Sequence, residues 1–121
     1  MNIEDFRNYC LEKAAVTEEF PFDAETLVFK VAGKIFTLTG IEDFKSINLK
    51  CDPEEAIMLR ETFNAVHPGY HMNKKNWNTI DMDNTIPDIL LQKWIDNSYN
   101  LVIKTLPKRT QIELSELSNL C

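Results

Sequence analysis

Residues 26–50 read TLVFKVAGKIFTLTGIEDFKSINLK, and this stretch determines the predicted fold. Apolar residues alternate with other residues over 26–32, 35–39 and 44–50, which is the period of a β-strand. Gly33-Lys34 suits a tight turn between the first two strands, because glycine readily adopts positive φ. The stretch therefore predicts a three-stranded antiparallel meander.

The segments on either side of the meander predict helices and a second hairpin. Asp52 can cap a helix, Pro53 suits its first position, and Glu55 can complete a capping box. The predicted elements in chain order are a helix at 3–14, strands at 26–32, 35–39 and 44–50, a helix at 52–64, strands at 66–72 and 77–82, a helix at 87–106, and a short helical tail at 108–121. Residues 15–25 are predicted to form a polar loop. The order α-β-β-β-α-β-β-α predicts a single α+β domain over 1–121, with a two-layer, five-stranded antiparallel sheet and helices on one face.

Composition predicts an ordered cytoplasmic protein. The 121 residues are 44% hydrophobic, and no apolar run exceeds five residues, far fewer than the ~20 needed to cross a bilayer. Residues 1–5 carry acids where a secretory signal would need bases. Cys10, Cys51 and Cys121 lack metal or redox spacing and are expected to be free thiols.

The charge is unevenly distributed along the chain. The net charge of −6 argues against a nucleic-acid partner, yet the windows 26–41, 62–80 and 97–112 contain seven bases and no acid. This asymmetry predicts either a basic face opposite an acidic one or simply strands and buried helices that avoid acids. If the face exists, the acids of 4–25 and 52–61 should lie on the helical layer.

Several blocks of sequence resemble a known family. In the front half they are Phe20-Pro21-Phe22, Val28-Phe29-Lys30-Val31 and Gly33-Lys34-Ile35-Phe36; in the back half they are Pro68-Gly69-Tyr70-His71-Met72-Asn73-Lys74, Trp77, Ile86-Pro87-Asp88 and Ser98-Tyr99. In this order and spacing they resemble the MmcQ/YjbR family over roughly residues 1–110. Asp23 and Asn76 depart from the residues expected at their positions. The resemblance implies a CyaY-like (frataxin-like) fold in a largely bacterial family that has been proposed to bind DNA through a double wing of two hairpins.

Two hairpin tips match the double-wing proposal. The first contains Lys34, and the second contains Asn73, Lys74 and Lys75, followed by Trp77. Lysine can reach phosphates, asparagine can contact phosphates or base edges, and tryptophan can stack on a base. These five residues are the predicted nucleic-acid-binding group, and both tips should project from the same end of the sheet. The alternative is that they are solvated turn residues and a tryptophan packed into the sheet or against the last helix.

No residue pattern predicts catalysis, a cofactor or a metal site. His67 and His71 are four apart in a predicted strand, about 13 Å by strand rise, which is too far to share a metal ion. Ser98 lies on an apolar helix face and is predicted to bond back to the carbonyl of Trp94. The leading prediction is a small non-catalytic DNA-binding domain. The alternative is a protein-interaction module or adaptor that docks through the exposed sheet face or an edge strand.

Overall fold

The computed structural model describes residues 1–69 and 72–119, and within them it forms an α+β fold of four helices and six strands. The elements are α1 (Ile3–Leu11), β1 (Val16–Glu19), β2 (Thr26–Val31), β3 (Lys34–Gly40), β4 (Ser46–Lys50), α2 (Pro53–Thr62), β5 (Val66–Pro68), β6 (Trp77–Asp81), α3 (Asp88–Lys104) and α4 (Lys108–Asn119). The strands form one sheet in the order β1-β2-β3-β4-β6-β5, and every neighbouring pair is antiparallel. The predicted antiparallel α+β class is confirmed, but the predicted count of five strands is wrong.

The additional strand is β1, which lies within the segment predicted to be a loop. It pairs with β2 from Val16 opposite Val31 to Glu19 opposite Val28. Its sequence, Val-Thr-Glu-Glu, has a single apolar residue, so the alternation that identifies a half-buried strand is too weak to recognise. The strand is at the edge of the sheet, where pairing on one side suffices to hold it.

Two other strands are shorter than predicted. β4 begins at Ser46 because Phe44 adopts a φ of 48°, which is incompatible with an extended strand. β5 covers Val66–Pro68, and Tyr70 and His71 of the predicted strand lie outside the described residues.

The core lies between one face of the sheet and the helices. Leu27, Phe29, Ile47 and other sheet residues pack against α1, α3 and Leu114 of α4 in a single buried cluster. The ring of Phe29 meets that of Phe6 from α1 edge-on, with centroids 5.5 Å apart. Fully burying a side chain of this size contributes roughly 1.5–3 kcal/mol. Among the described residues, no helix is both long and apolar enough to cross a membrane.

A β-bulge interrupts the centre of the sheet. On β2, Phe29 pairs with Thr37 and the next residue, Lys30, pairs with Ile35, so Phe36 has no partner on that strand. The pairing of β3 with β4 likewise begins only at Thr37.

Ser98 of α3 completes the hydrogen bonding beside this bulge. Its hydroxyl donates to the carbonyl oxygen of Phe36 at 2.5 Å and accepts from the backbone N–H of Lys50 at 2.8 Å. The predicted bond back to Trp94 is therefore wrong. The interrupted strand ladder leaves two backbone groups of the sheet without a strand partner. Because buried backbone groups need hydrogen bonds, these two groups explain why a serine lies on an otherwise apolar helix face.

Candidate functional site

The strand registers place both predicted tips at the same end of the sheet. Thr37 on β3 pairs with Leu49 on β4, which pairs with Asn78 on β6. Lys34 precedes Thr37 by three residues, and Trp77 directly precedes Asn78, so both strands start at this end. One strand separates β3 from β6, which sets the two tips about 10 Å apart across the sheet.

The first tip is a two-residue turn that approaches the end of α3. Ala32 and Gly33 have φ values of 49° and 81°, the signature of a type I′ hairpin turn. The predicted turn, Gly33-Lys34, is wrong by one residue, because Lys34 pairs with Val31 and begins β3. Lys34 is exposed, and its Nζ lies 3.4 Å from Oγ1 of Thr105, the residue that caps α3. The fold thereby brings the first tip to the connection between α3 and α4.

Lys104 directly precedes Thr105, and Lys108 and Arg109 follow it at the start of α4; together with Lys34 these residues are called the basic corner. All four side chains are exposed. They come from two of the acid-free windows, 26–41 and 97–112, which lie far apart in the chain. Lys104, Lys108 and Arg109 were not among the predicted site residues, although the charge windows had already contained them.

The second tip, 73–76, is a tight turn held by its own backbone. The carbonyl oxygen of Asn73 accepts from the N–H groups of Asn76 at 3.2 Å and Trp77 at 2.9 Å, and Oδ1 of Asn73 accepts from the N–H of Lys75 at 2.9 Å. Asn73, Lys74 and Lys75 are exposed. The structure therefore presents these three predicted residues to solvent.

Arg60 of α2 anchors the second tip to the rest of the domain. Its Nε donates to Oδ1 of Asn78 at 2.6 Å, and its Nη2 donates to the carbonyl oxygens of Lys74 and, at 3.3 Å, of Trp77. Sequence reasoning missed this arginine because its three acceptors lie 14 to 18 residues further along the chain.

Trp77 differs in environment from the other predicted contact residues. It is 8% exposed, and its backbone carbonyl accepts from the N–H of Gly69 at 2.8 Å. A side chain this buried offers no open ring face for a base to stack on. The alternative prediction, in which the tryptophan packs into the fold, agrees with this placement.

Carboxylates lie close to both parts of this end: the acidic start of α2 adjoins the second tip, and Glu113 of α4 lies 3.7 Å from Arg109 of the basic corner. Asp52 caps α2, Glu54 and Glu55 occupy its first turn, and the N–H of the preceding Cys51 donates to the carbonyl oxygen of Asn76 at 2.7 Å. α2 belongs to the helical layer as expected, yet its acidic start adjoins Lys74 and Lys75. The same expectation is wrong for Glu18 and Glu19, which lie on strand β1 of the sheet. The positive potential of this end is consequently centred on the basic corner.

Comparison with known proteins identifies the family. A family model described as YjbR matches residues 11–101. The chain belongs to the YjbR family. It is 38% identical to YbdF of Escherichia coli O157:H7 over 109 residues, covering 89% of each chain. It is 29% identical to YjbR of Escherichia coli K12 over 118 residues, covering 97% of this chain and 100% of that one.

Solved structures show the same YjbR-family fold. A crystal structure of a Deinococcus radiodurans protein with a DUF419 domain matches with a TM-score of 0.89 and 40% identity, covering 94% of this chain and 88% of that one. A crystal structure of a Pseudomonas syringae protein matches with a TM-score of 0.71 and 27% identity, covering 84% and 98%.

This YjbR-family chain also contains a polar cluster between α1 and α3 that the sequence did not predict. Oδ1 of Asp96 accepts from the hydroxyl of Tyr9 at 2.7 Å and from Nζ of Lys13. The same ammonium lies 4.8 Å from the ring centroid of Tyr9 and 5.3 Å from that of Tyr99. Burial, reinforced by the bond to Asp96, raises the pKa of Tyr9 to about 12. The cluster ties α1 to α3 and lies apart from the basic corner.

The remaining chemically active side chains of this YjbR-family chain are structural in their surroundings. Burial raises the pKa of Cys10 to about 12 and that of Cys51 to about 11, which favours the protonated thiol in both free cysteines. His67 pairs with Asp81 at 2.7 Å, while His71 and Cys121 lie outside the described residues. Within 1–69 and 72–119, no three His, Cys, Asp or Glu side chains are grouped so as to hold a metal ion.

Proposed function

We propose that this domain is a non-catalytic nucleic-acid-binding module that contacts phosphates through the basic corner and the two tips. The observation that carries the proposal is the convergence of bases from all three acid-free windows at one end of the sheet. Lys34, Lys74 and Lys104 represent one window each. A surface that draws bases from three distant segments offers several cations to a phosphate backbone.

The charges around the basic corner and the second tip indicate which of the two should bind phosphate more strongly. Lys74 and Lys75 share their surroundings with the acidic start of α2, so their attraction for phosphate is partly offset. In the basic corner, Arg109 forms a long ion pair with Glu113, at 3.7 Å between exposed side chains, and so distant an exposed pair offsets little of the corner's charge. We therefore assign the primary contact to the corner and an auxiliary contact to the second tip, where the exposed Asn73 amide can also bond phosphate or a base edge.

Binding titrations with matched variants test the proposal. Labelled duplex and single-stranded DNA are titrated by fluorescence anisotropy at several salt concentrations. The variant Lys34→Ala/Lys108→Ala should lower the slope of log affinity against log salt by about two, and Lys74→Ala/Lys75→Ala by less. The control Lys45→Ala/Lys93→Ala removes the same charge from exposed lysines elsewhere and should leave the slope unchanged.

Two results would overturn this function. One is an absence of binding at tens of micromolar protein in low salt, which is the weak end of ordinary non-specific affinity. The other is an equal loss of affinity in the control variant, which would mean that net charge alone is sensed. Either result would favour the alternative, a protein-interaction module that uses the exposed β1 edge.

We expect the domain to act in the cytoplasm of a bacterium. The named relatives of the chain come from bacteria. Fractionation of cells that express the tagged full chain would test this location.

A further inference from the structure

An open groove of about 440 Å³ lies between α1 and the ends of β1 and β2. Leu27 forms part of its apolar lining, and Phe20 and Ile41 border it while remaining 48% and 39% exposed. The N–H of Ile41 donates to the carbonyl oxygen of Glu25 at 2.9 Å, which holds the two loops together. The groove lies at the end of the sheet opposite the basic corner, because β1 and β3 both end here.

The loop beside the groove exposes aromatic side chains in a fixed conformation. Phe22 is 66% exposed, and Pro21 restricts the backbone between it and Phe20. Asp23 closes the loop, since its Oδ1 accepts from the N–H groups of Glu25 at 2.9 Å and Thr26 at 2.7 Å. Exposed apolar groups that are already ordered lose little entropy when a partner covers them.

The rim of the groove is acidic. Glu4 lines it, and the exposed Glu25 and Glu42 flank Ile41 along the two joined loops. The arginine that lines the groove, Arg7, is already held by Glu18 through two bonds of 2.7 and 2.5 Å. Its charge is therefore engaged and does not offset the carboxylates of the rim.

We propose that this acidic groove docks a segment of a partner protein in which an apolar or aromatic side chain is flanked by lysine or arginine. The apolar anchor would cover Phe20, Phe22 and Ile41, and the flanking bases would meet the rim carboxylates. The same carboxylates repel nucleic acid and anionic lipid, so charge complementarity selects a basic polypeptide. The site shares no residue with the nucleic-acid interface, and the two proposals stand or fall separately.

Model peptides test the site directly. The probe is a fluorescent peptide, Lys-Leu-Trp-Lys-Lys, with two comparison peptides in which the lysines become glutamate or the Leu-Trp pair becomes serine. Titration of the full ¹⁵N-labelled chain should give saturable amide shifts confined to residues 3–7, 18–27 and 40–44 with the first peptide. Both comparison peptides should bind at least about tenfold more weakly, because each lacks one half of the complementarity.

Variants of exposed residues distinguish binding at this site from non-specific hydrophobic binding. Phe22→Ser/Ile41→Ser should weaken the probe by about tenfold, and Glu25→Gln/Glu42→Gln should weaken it only at low salt. The control Ile89→Ser removes a 75% exposed apolar side chain at the start of α3 and should bind normally. Lys34→Ala/Lys108→Ala should also bind the probe normally, while its affinity for DNA falls and becomes less dependent on salt.

Three results would overturn the proposal. They are equal binding of the glutamate peptide, unchanged binding by Phe22→Ser/Ile41→Ser, and amide shifts centred elsewhere. Sedimentation of the free protein tests whether a second copy of the chain occupies the groove instead. A dimer that Phe22→Ser converts to a monomer would show that it does.

Discussion

Replacing Ser98 with alanine is the sharpest test of how the sheet is held together. Ser98 is fully buried, with 0% of its surface exposed. Its hydroxyl bridges the carbonyl of Phe36 and the N–H of Lys50 where the bulge interrupts the strand ladder. Ser98→Ala would remove this bridge while keeping the helix backbone, since alanine is the best helix former.

The expected cost follows from the two groups that lose their partner. A buried backbone group left unpaired costs about 1–3 kcal/mol. Lys50 is half-buried at the end of β4, where water can partly replace the hydroxyl, so the sum for both groups should be about 2–4 kcal/mol. That is a large part of the 5–15 kcal/mol that roughly stabilises an ordinary domain.

Urea unfolding, followed by the fluorescence of Trp77 and Trp94, measures this loss. The denaturant midpoint should fall while the slope of unfolding free energy against urea stays that of the parent. Ser115→Ala, at an exposed position of α4, is the matched control and should stay within about 0.5 kcal/mol. If Ser98→Ala also stays within that range at unchanged slope, the bridge has no structural importance and the reasoning is wrong.

Three further perturbations test local features. Gly69→Ala would place a Cβ 2.8 Å from that of Trp77 and should lower the free energy of unfolding in urea by about 1–3 kcal/mol. In the control Gly40→Ala, the new Cβ meets no atom within 4 Å. Equal losses of stability in the two variants would contradict the crowding at Gly69. Ala32 has a positive φ of 49°, which asparagine tolerates better than alanine, so Ala32→Asn should stabilise the first tip by about 0.5–1 kcal/mol. A loss of stability would show that the turn is not type I′. Burial raises the pKa of Tyr9 from 10.0 to about 12. The stability that the protonated Tyr9 hydroxyl contributes is therefore complete below pH 10 and should disappear as the pH rises toward 12. Phenolate absorbance should follow the titration, and the unfolding free energy of Tyr9→Phe should lack this pH dependence.

The elements that the sequence predicted are those with strong local signals. The strand at 26–32 is apolar on both faces, and Asp52 and Pro53 mark the start of α2 by capping chemistry, which the bond from the N–H of Glu54 to Asp52 confirms. β1 has no such signal. Its stability comes from backbone pairing with β2 and from the ion pair of Glu18 with Arg7, both of which depend on distant residues.

The site was only partly predictable for the same physical reason. Exposed lysines and asparagine at turns are local features, and the structure does expose Lys34, Asn73, Lys74 and Lys75. The corner depends on the contact between Lys34 and Thr105, 71 residues apart, which no local pattern encodes. The burial of Trp77 is likewise set by tertiary packing, so an aromatic residue beside a tip could not be distinguished from a stacking platform.

If the domain binds nucleic acid as proposed, the distance between the basic corner and the acids of the far end reconciles a net charge of −6 with a polyanionic ligand. β3 has seven residues and spans about 23 Å between the basic and acidic ends, whereas the Debye length at physiological salt is about 8 Å. At that salt a bound phosphate therefore senses chiefly the lysines and arginine of the corner. At about 0.01 M salt the Debye length reaches about 30 Å, and the acids of the far end add repulsion. We therefore expect log affinity to rise less steeply below about 0.05 M salt than above it, and Glu25→Gln/Glu42→Gln should straighten the plot. A plot that is already linear in the parent chain would show that the far end is not sensed and that the corner alone governs binding.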